Sequence, residues 1–189
     1  MVFLSALGLI SPIFAIFITA KIRGGGVEVV GFAAAVYWIG RSIFEIPIAK
    51  FLDKTKGEKD DLYFLVFGYA ICALVQFGYI FCTLPWHVYV LQGVFAVGAA
   101  ISWPAWSALF TRHIDKGREG FEWSVEHVSF SLGIGITGAL GGITVATFGF
   151  NTAFIIAGAF ALVGGLLPII IFKDVKKGDN WFLSIFKSK

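Results

Sequence analysis

From Val128 to Phe172 the chain reads VSFSLGIGITGALGGITVATFGFNTAFIIAGAFALVGGLLPIIIF, without one charged side chain. A bilayer core about 30 Å thick is crossed by about 20 apolar helical residues. The stretch is long enough for two crossings, with a turn at Gly149 to Asn151. Outward from it, Met1 to Ala20, Leu62 to Trp86 and Val88 to Thr111 are equally free of charge. Breaks fall at Gly24-Gly25-Gly26, in the charge run Asp53 to Asp61, at Leu84-Pro85-Trp86 and in the loop Arg112 to Gly120. The pattern predicts an all-α, polytopic membrane protein with six transmembrane helices near 2–20, 27–51, 62–84, 86–111, 121–148 and 151–172. Composition agrees. Of 189 residues 58% are hydrophobic and only 14% charged, against roughly 25% charged in a soluble domain.

The predicted organisation is a membrane domain over 1–172, made of two inverted three-helix repeats at about 1–84 and 86–172, and a short tail at 173–189. Lys54, Lys56, Lys59, Arg112, Lys116, Arg118, Lys173, Lys176, Lys177, Lys187 and Lys189 fall on one side of the membrane, Lys21 and Arg23 on the other. Basic residues mark the cytoplasmic side, which places both termini in the cytoplasm. The apolar N-terminus reads as the first span, with no basic region or cleavage site of a signal peptide. Aromatic and lysine residues in the tail suit a segment lying at the membrane surface; a disordered tail fits equally well. Cys72 and Cys82, ten positions apart in one apolar stretch, read as small core residues.

Ionisable groups inside a span are costly, about 2.5–3.5 kcal/mol on insertion scales. Arg41 and Glu45 stand four residues apart in the second span, on one helix face. They read as a coupling or gating pair, or as a self-neutralising pair that cements helices. The fifth span opens with Glu122, Glu126 and His127, then carries Gly133, Thr137 and Gly141 on one stripe and Gly138 and Gly142 on the next. Small residues at that spacing admit close helix packing. Ser11-Pro12 and Trp103-Pro104 place proline in the first and fourth spans. Broken helices in corresponding positions of two repeats point to a binding region, so Pro12, Gln92, Trp103 and Trp106 are the cavity-lining candidates. No phosphate loop, nucleophile elbow or metal-ligand spacing is present in the sequence. Neither enzymatic activity nor a cofactor or metal is expected, and a net charge of +3 needs no nucleic acid to explain it.

The loop after the second span resembles the signature of the major facilitator superfamily. Asp53, Lys54, Gly57 and Lys59 match its acid, base, glycine and terminal base, while Ala49 stands for its first glycine and Glu58 for a base. Gln92-Gly93 resembles a second motif of that family, with Tyr89 at its arginine position. Gly133, Gly141 and Gly142 resemble glycines of an antiporter motif, with Thr137-Gly138 where a Gly-Pro pair would be. The resemblance spans the chain as one half of a twelve-helix body. It implies a secondary transporter of a small solute, working by alternating access as a parallel homodimer in the plasma (inner) membrane. Asp53, Lys54, Gly57, Lys59 and Glu126, with Arg41 and Glu45, would gate or couple transport, and protons are a candidate coupling ion. Asp53 of one copy would meet the partner's fifth helix, Glu126 would approach Arg41 or the basic loop across the same contact, and the glycine stripe would pack between copies. The alternatives are a half-transporter with a different six-helix partner and a non-transporting membrane scaffold.

Overall fold

The protein is seen in a computed structural model that describes residues 2–55 and 58–170. Gly57, Lys56 and the tail from 173 onward lie outside the described residues. The described chain is helical throughout, with no strand. Helix α1 (Val2–Gly8) is followed by a 3-10 turn, Ser11–Ile13, and by α2 (Phe14–Lys21). Then come α3 (Val27–Thr55), α4 (Glu58–Gly78) with a 3-10 turn at Tyr79–Phe81, α5 (Pro85–His113) and α6 (Glu119–Leu166). Among the described residues five helical segments are long and apolar enough to cross a membrane: Val2–Lys21, Val27–Lys54, Glu58–Phe81, Pro85–His113 and Glu119–Ile170.

The last segment carries the difference from the expected six. A straight helix of the 48 residues of α6 would reach about 72 Å at 1.5 Å per residue, far beyond a 30 Å core. Gly149 interrupts it with φ 82° and ψ 173°, backbone geometry essentially confined to glycine. The turn expected over Gly149 to Asn151 is thus reduced to a single non-helical residue between two helices.

The proline pair also divides. In the first segment the helix does break: Leu9 and Ile10 N–H groups donate to Ala6 and Leu7 carbonyls, and Ile13 N–H to Ile10 O. Pro104 lies inside a continuous α5, and Pro47 inside a continuous α3. The expected matching break in the fourth span is therefore absent, because the helix continues past the donor that proline lacks.

Helix α4 sits centrally, packed against α5 and α6, while α3 packs on α5 and α1 on α6. Small residues set the closest approach. A Cβ on Gly68 would stand 2.6 Å from the Gly98 carbonyl oxygen, and Ser102 lies beside the same crossing. One core gathers Phe17, Tyr79, Phe150 and Phe154, with Phe17 and Phe154 rings edge-on at 4.8 Å. A second stacks Phe3 on Tyr69 among Leu52, Leu62 and Leu65.

Candidate functional site

Two chambers of about 590 Å³ each open along the face where α3 meets α5. The first, central chamber draws its wall from α1, α3, α4, α5 and α6 and includes Tyr37, Trp38, Arg41, Gln76, Gln92 and Trp103. The second is lined by Glu45, Asp53, Trp103, Ser107, Thr111 and Arg112, among others. Arg41 lines the first, Glu45 the second and Trp103 both, so this group stands where the chambers meet.

Helical spacing builds the group. Tyr37, Arg41 and Glu45 recur every fourth residue of α3, which stacks them on one face. Arg41 Nε donates to Glu45 Oε2 at 2.7 Å, and its Nη1 donates to the Tyr37 hydroxyl at 3.4 Å. The guanidinium lies over the Trp103 ring, 5.1 Å from its centroid, and 5.8 Å from that of Trp38. Such cation–π contacts contribute about 0.5–2 kcal/mol each as they become desolvated. Together with the ion pair they offset the cost of a guanidinium within an apolar helix. The approach of α5 is possible because Gly40 faces Ala96, where an added Cβ would sit at 3.3 Å.

Across the central chamber the wall is neutral and polar. Gln76 and Gln92 are both buried, and Gln76 Oε1 has no hydrogen-bond partner. The Ser102 hydroxyl is already used, donating to the Gly98 carbonyl at 3.0 Å.

Of the expected cavity residues, Gln92 and Trp103 line the central chamber and Trp103 the second as well. Pro12 does not; it is exposed beside Gly138. Trp106 turns into the second core, stacked on Phe110 at 5.6 Å, with its indole N–H buried and unpartnered. Asp53, Lys54 and Lys59 are exposed at the end that bears the charged loops.

The glycine stripe finds its partner inside the chain. Gly133 faces Ser5, Thr137 faces Gly8, Gly138 faces Pro12, and Gly141 abuts the Leu9 carbonyl. Within the single chain these four lie against α1 and the turn after it, with Gly133 and Gly138 still half-exposed. Gly142 meets open space. Glu126 is buried within the single chain. Glu122 accepts from the Asp115 backbone N–H at 3.3 Å, and His127 is exposed.

The structure adds an ion pair that sequence reasoning missed. Arg112, at the end of α5, donates through Nη1 to Oδ2 of Asp61, which is fully buried near the start of α4. His113 and Glu58 approach to 3.9 Å beside it. These contacts hold both charged loops at one end of the bundle, while at the other end Arg23 N–H donates to Thr83 O at 2.9 Å. The only signal in the sequence was that Asp61 immediately precedes one charge-free stretch and Arg112 immediately follows the next. Sequence reasoning also passed over Tyr37, Trp38 and Gln76, although the first two stand four and three residues before Arg41 and the third is an amide in an apolar helix. Among the described residues no group of three or more His, Cys, Asp or Glu is placed to hold a metal ion.

The family model described as Major Facilitator Superfamily matches residues 1–187 of the chain. No curated protein and no solved structure matches it significantly. With nearly the whole sequence matched, the chain belongs to the Major Facilitator Superfamily, a family of membrane transporters.

Proposed function

From that membership we propose that the chain is one half of an alternating-access secondary transporter for a small solute, completed by a second copy in a parallel homodimer. The central chamber holds the solute, and the Arg41–Glu45–Trp103 group separates it from the second chamber. Six crossings, with Gly149 as the reversal in the last segment, bring both termini to the cytoplasmic side as two inverted repeats in the plasma (inner) membrane. The second chamber then opens toward the cytoplasm, with Asp53 and Arg112 at its mouth. Asp53 acts as a latch against the partner's α6, whose N-terminal end carries partial positive charge that favours an acid. Release of Arg41 from Glu45 would be the step that joins the two chambers, with protons as a candidate coupling ion; uncoupled, facilitated movement is the simpler form of the same cycle.

The observation that carries this reading is the position of Arg41. A half-buried charge at a chamber wall on the least covered helix suits a site completed by another half, whereas a scaffold would bury its charges between helices. Native mass of the purified chain, expressed alone, in a lipid nanodisc is the test. The expected protein mass is about twice the 20.6 kDa of one chain, by the symmetry of homo-oligomers. A monomer would overturn the homodimer and move the assignment to a different six-helix partner.

A further inference from the structure

We propose that the central chamber takes a small organic anion, a carboxylate whose carbon skeleton also carries a hydroxyl or amide N–H donor. The proposal rests on reading that chamber as the solute site. Its wall presents one formal charge, the Arg41 guanidinium; no Asp, Glu, Lys or His side chain lines it. The counter-charge is on the far side, since Glu45 lines the other chamber and engages Arg41 through Nε. A guanidinium has five N–H donors in a fixed fork. Nε is used by Glu45 and one Nη1 hydrogen by Tyr37, which leaves Nη2 and the second Nη1 hydrogen for a ligand. Trp38 and Trp103 lie against the guanidinium, limiting its rotation and its access to water. That is a preorganised donor pair of the kind that favours a planar carboxylate.

The opposite wall supplies the second half of the specificity. Gln76 is only 4% exposed, lines the chamber, and holds Oε1 without a partner. A buried acceptor left unpaired is unfavourable, and a ligand O–H or N–H would satisfy it. Between these two points the wall is apolar and aromatic, with Phe14, Phe95 and Leu7, which suits a hydrocarbon or aromatic skeleton. A cation of the same size finds no carboxylate in the wall and meets Arg41. A neutral polyol satisfies Gln76 but forms only the weaker, singly charge-assisted bonds with Arg41.

The test uses the full chain in nanodiscs, with melting followed by tryptophan fluorescence. Probes are benzoate, 4-hydroxybenzoate and lactate, each beside its primary amide and the corresponding amine. At least one carboxylate is expected to raise the melting temperature, and its amide and amine are not. Arg41→Gln is expected to weaken that carboxylate at least tenfold. Gln76→Leu is expected to weaken a hydroxylated acid while leaving its deoxy counterpart within about twofold, a readout that survives if Arg41→Gln fails to fold. No shift with any carboxylate, a preference for amides or amines, or carboxylate binding unchanged in Arg41→Gln would overturn the anion site. Uptake into proteoliposomes separates the two readings. Carboxylate binding without uptake leaves the anion site standing and removes transport. Uptake of an amide or amine without carboxylate binding does the reverse.

Discussion

Helices α3 and α4 are both apolar enough to span a membrane, yet they are used in opposite ways. In α4, 44% of the most apolar window is buried within the chain; in α3 the figure is 11%. The covered helix is closely approached at a small residue, Gly68, and its one deeply buried charge, Asp61, is paired. The uncovered helix carries Arg41, Glu45 and Asp53 beside a row of exposed Trp38, Ile39, Ile43 and Ile46. A membrane protein with no further partner would leave lipid against such a surface, and lipid offers nothing to Glu45 or Asp53. The contrast teaches that this chain separates a helix held by its own neighbours from one that its own chain leaves largely bare.

The comparison breaks first if α4 tolerates crowding. Gly68→Val is expected to lose about 3 kcal/mol or more, at the upper end of overpacking effects, because the nearest atoms are the Gly98 carbonyl and the Ser102 backbone. Neither can swing away. Gly31→Val on α3 points a Cβ into open space within the single chain and is expected to leave its stability nearly unchanged. Reversible unfolding in mixed micelles would measure both, and equal losses would end the distinction. Gly31→Val is then read for its effect on native mass in nanodiscs, which reports whether a partner covers that position.

Next in size is Asp61→Asn. It preserves shape but removes the charge that Arg112 engages, and hydrogen bonds to charged groups contribute about 1.5–3 kcal/mol. A loss near 2 kcal/mol is expected, smaller in Asp61→Asn with Arg112→Gln than the two single losses added together. Strict additivity in that double-mutant cycle would show that the pair contributes no coupling to the α4–α5 clamp. On α3, Arg41→Gln is expected to lower stability by only about 1 kcal/mol. The i,i+4 ion pair is half-buried and contributes only somewhat more than the roughly 0.3–0.5 kcal/mol of an exposed one. Each cation–π contact at this partial exposure adds about 0.5 kcal/mol, the lower end of its range. A loss matching that of Gly68→Val would make Arg41 cement for the fold.

What the sequence made legible follows the same division. Charge-free stretches located the spans, since crossing a bilayer is a local requirement on about 20 consecutive residues. The Arg41–Glu45 pair was readable because four residues of one helix set its geometry. Everything that depends on which helix lies beside which was opaque. The spacing of Gly133, Thr137 and Gly141 announced close packing without saying that α1 would be the partner. Asp61 and Arg112 looked like two loop charges until the antiparallel placement of α4 and α5 brought them together. Pro104 resembled Pro12 in sequence, but only Pro12 follows a helix that has already ended, at Gly8.

Asp53 gives the smallest expected change in stability and the sharpest reading of α3. Its side chain is exposed at the mouth of the second chamber, so Asp53→Asn is expected to leave the unfolding free energy of the single chain unaltered. As a latch it would still bias the equilibrium between inward- and outward-open states. Thr111 lines the same chamber and is exposed, so Thr111→Cys reports access from that side to a membrane-impermeant maleimide. With Cys72 and Cys82 both buried, the background reaction is expected to be slow. Releasing the latch should raise the labelling rate severalfold, because a lost charge contact of about 1 kcal/mol shifts a two-state population by roughly fivefold. Unchanged labelling in Asp53→Asn would mean that the acid holds nothing closed. The exposed charge on α3 would then be a solvated surface group, and the functional half of the comparison would rest on Arg41 and Glu45 alone.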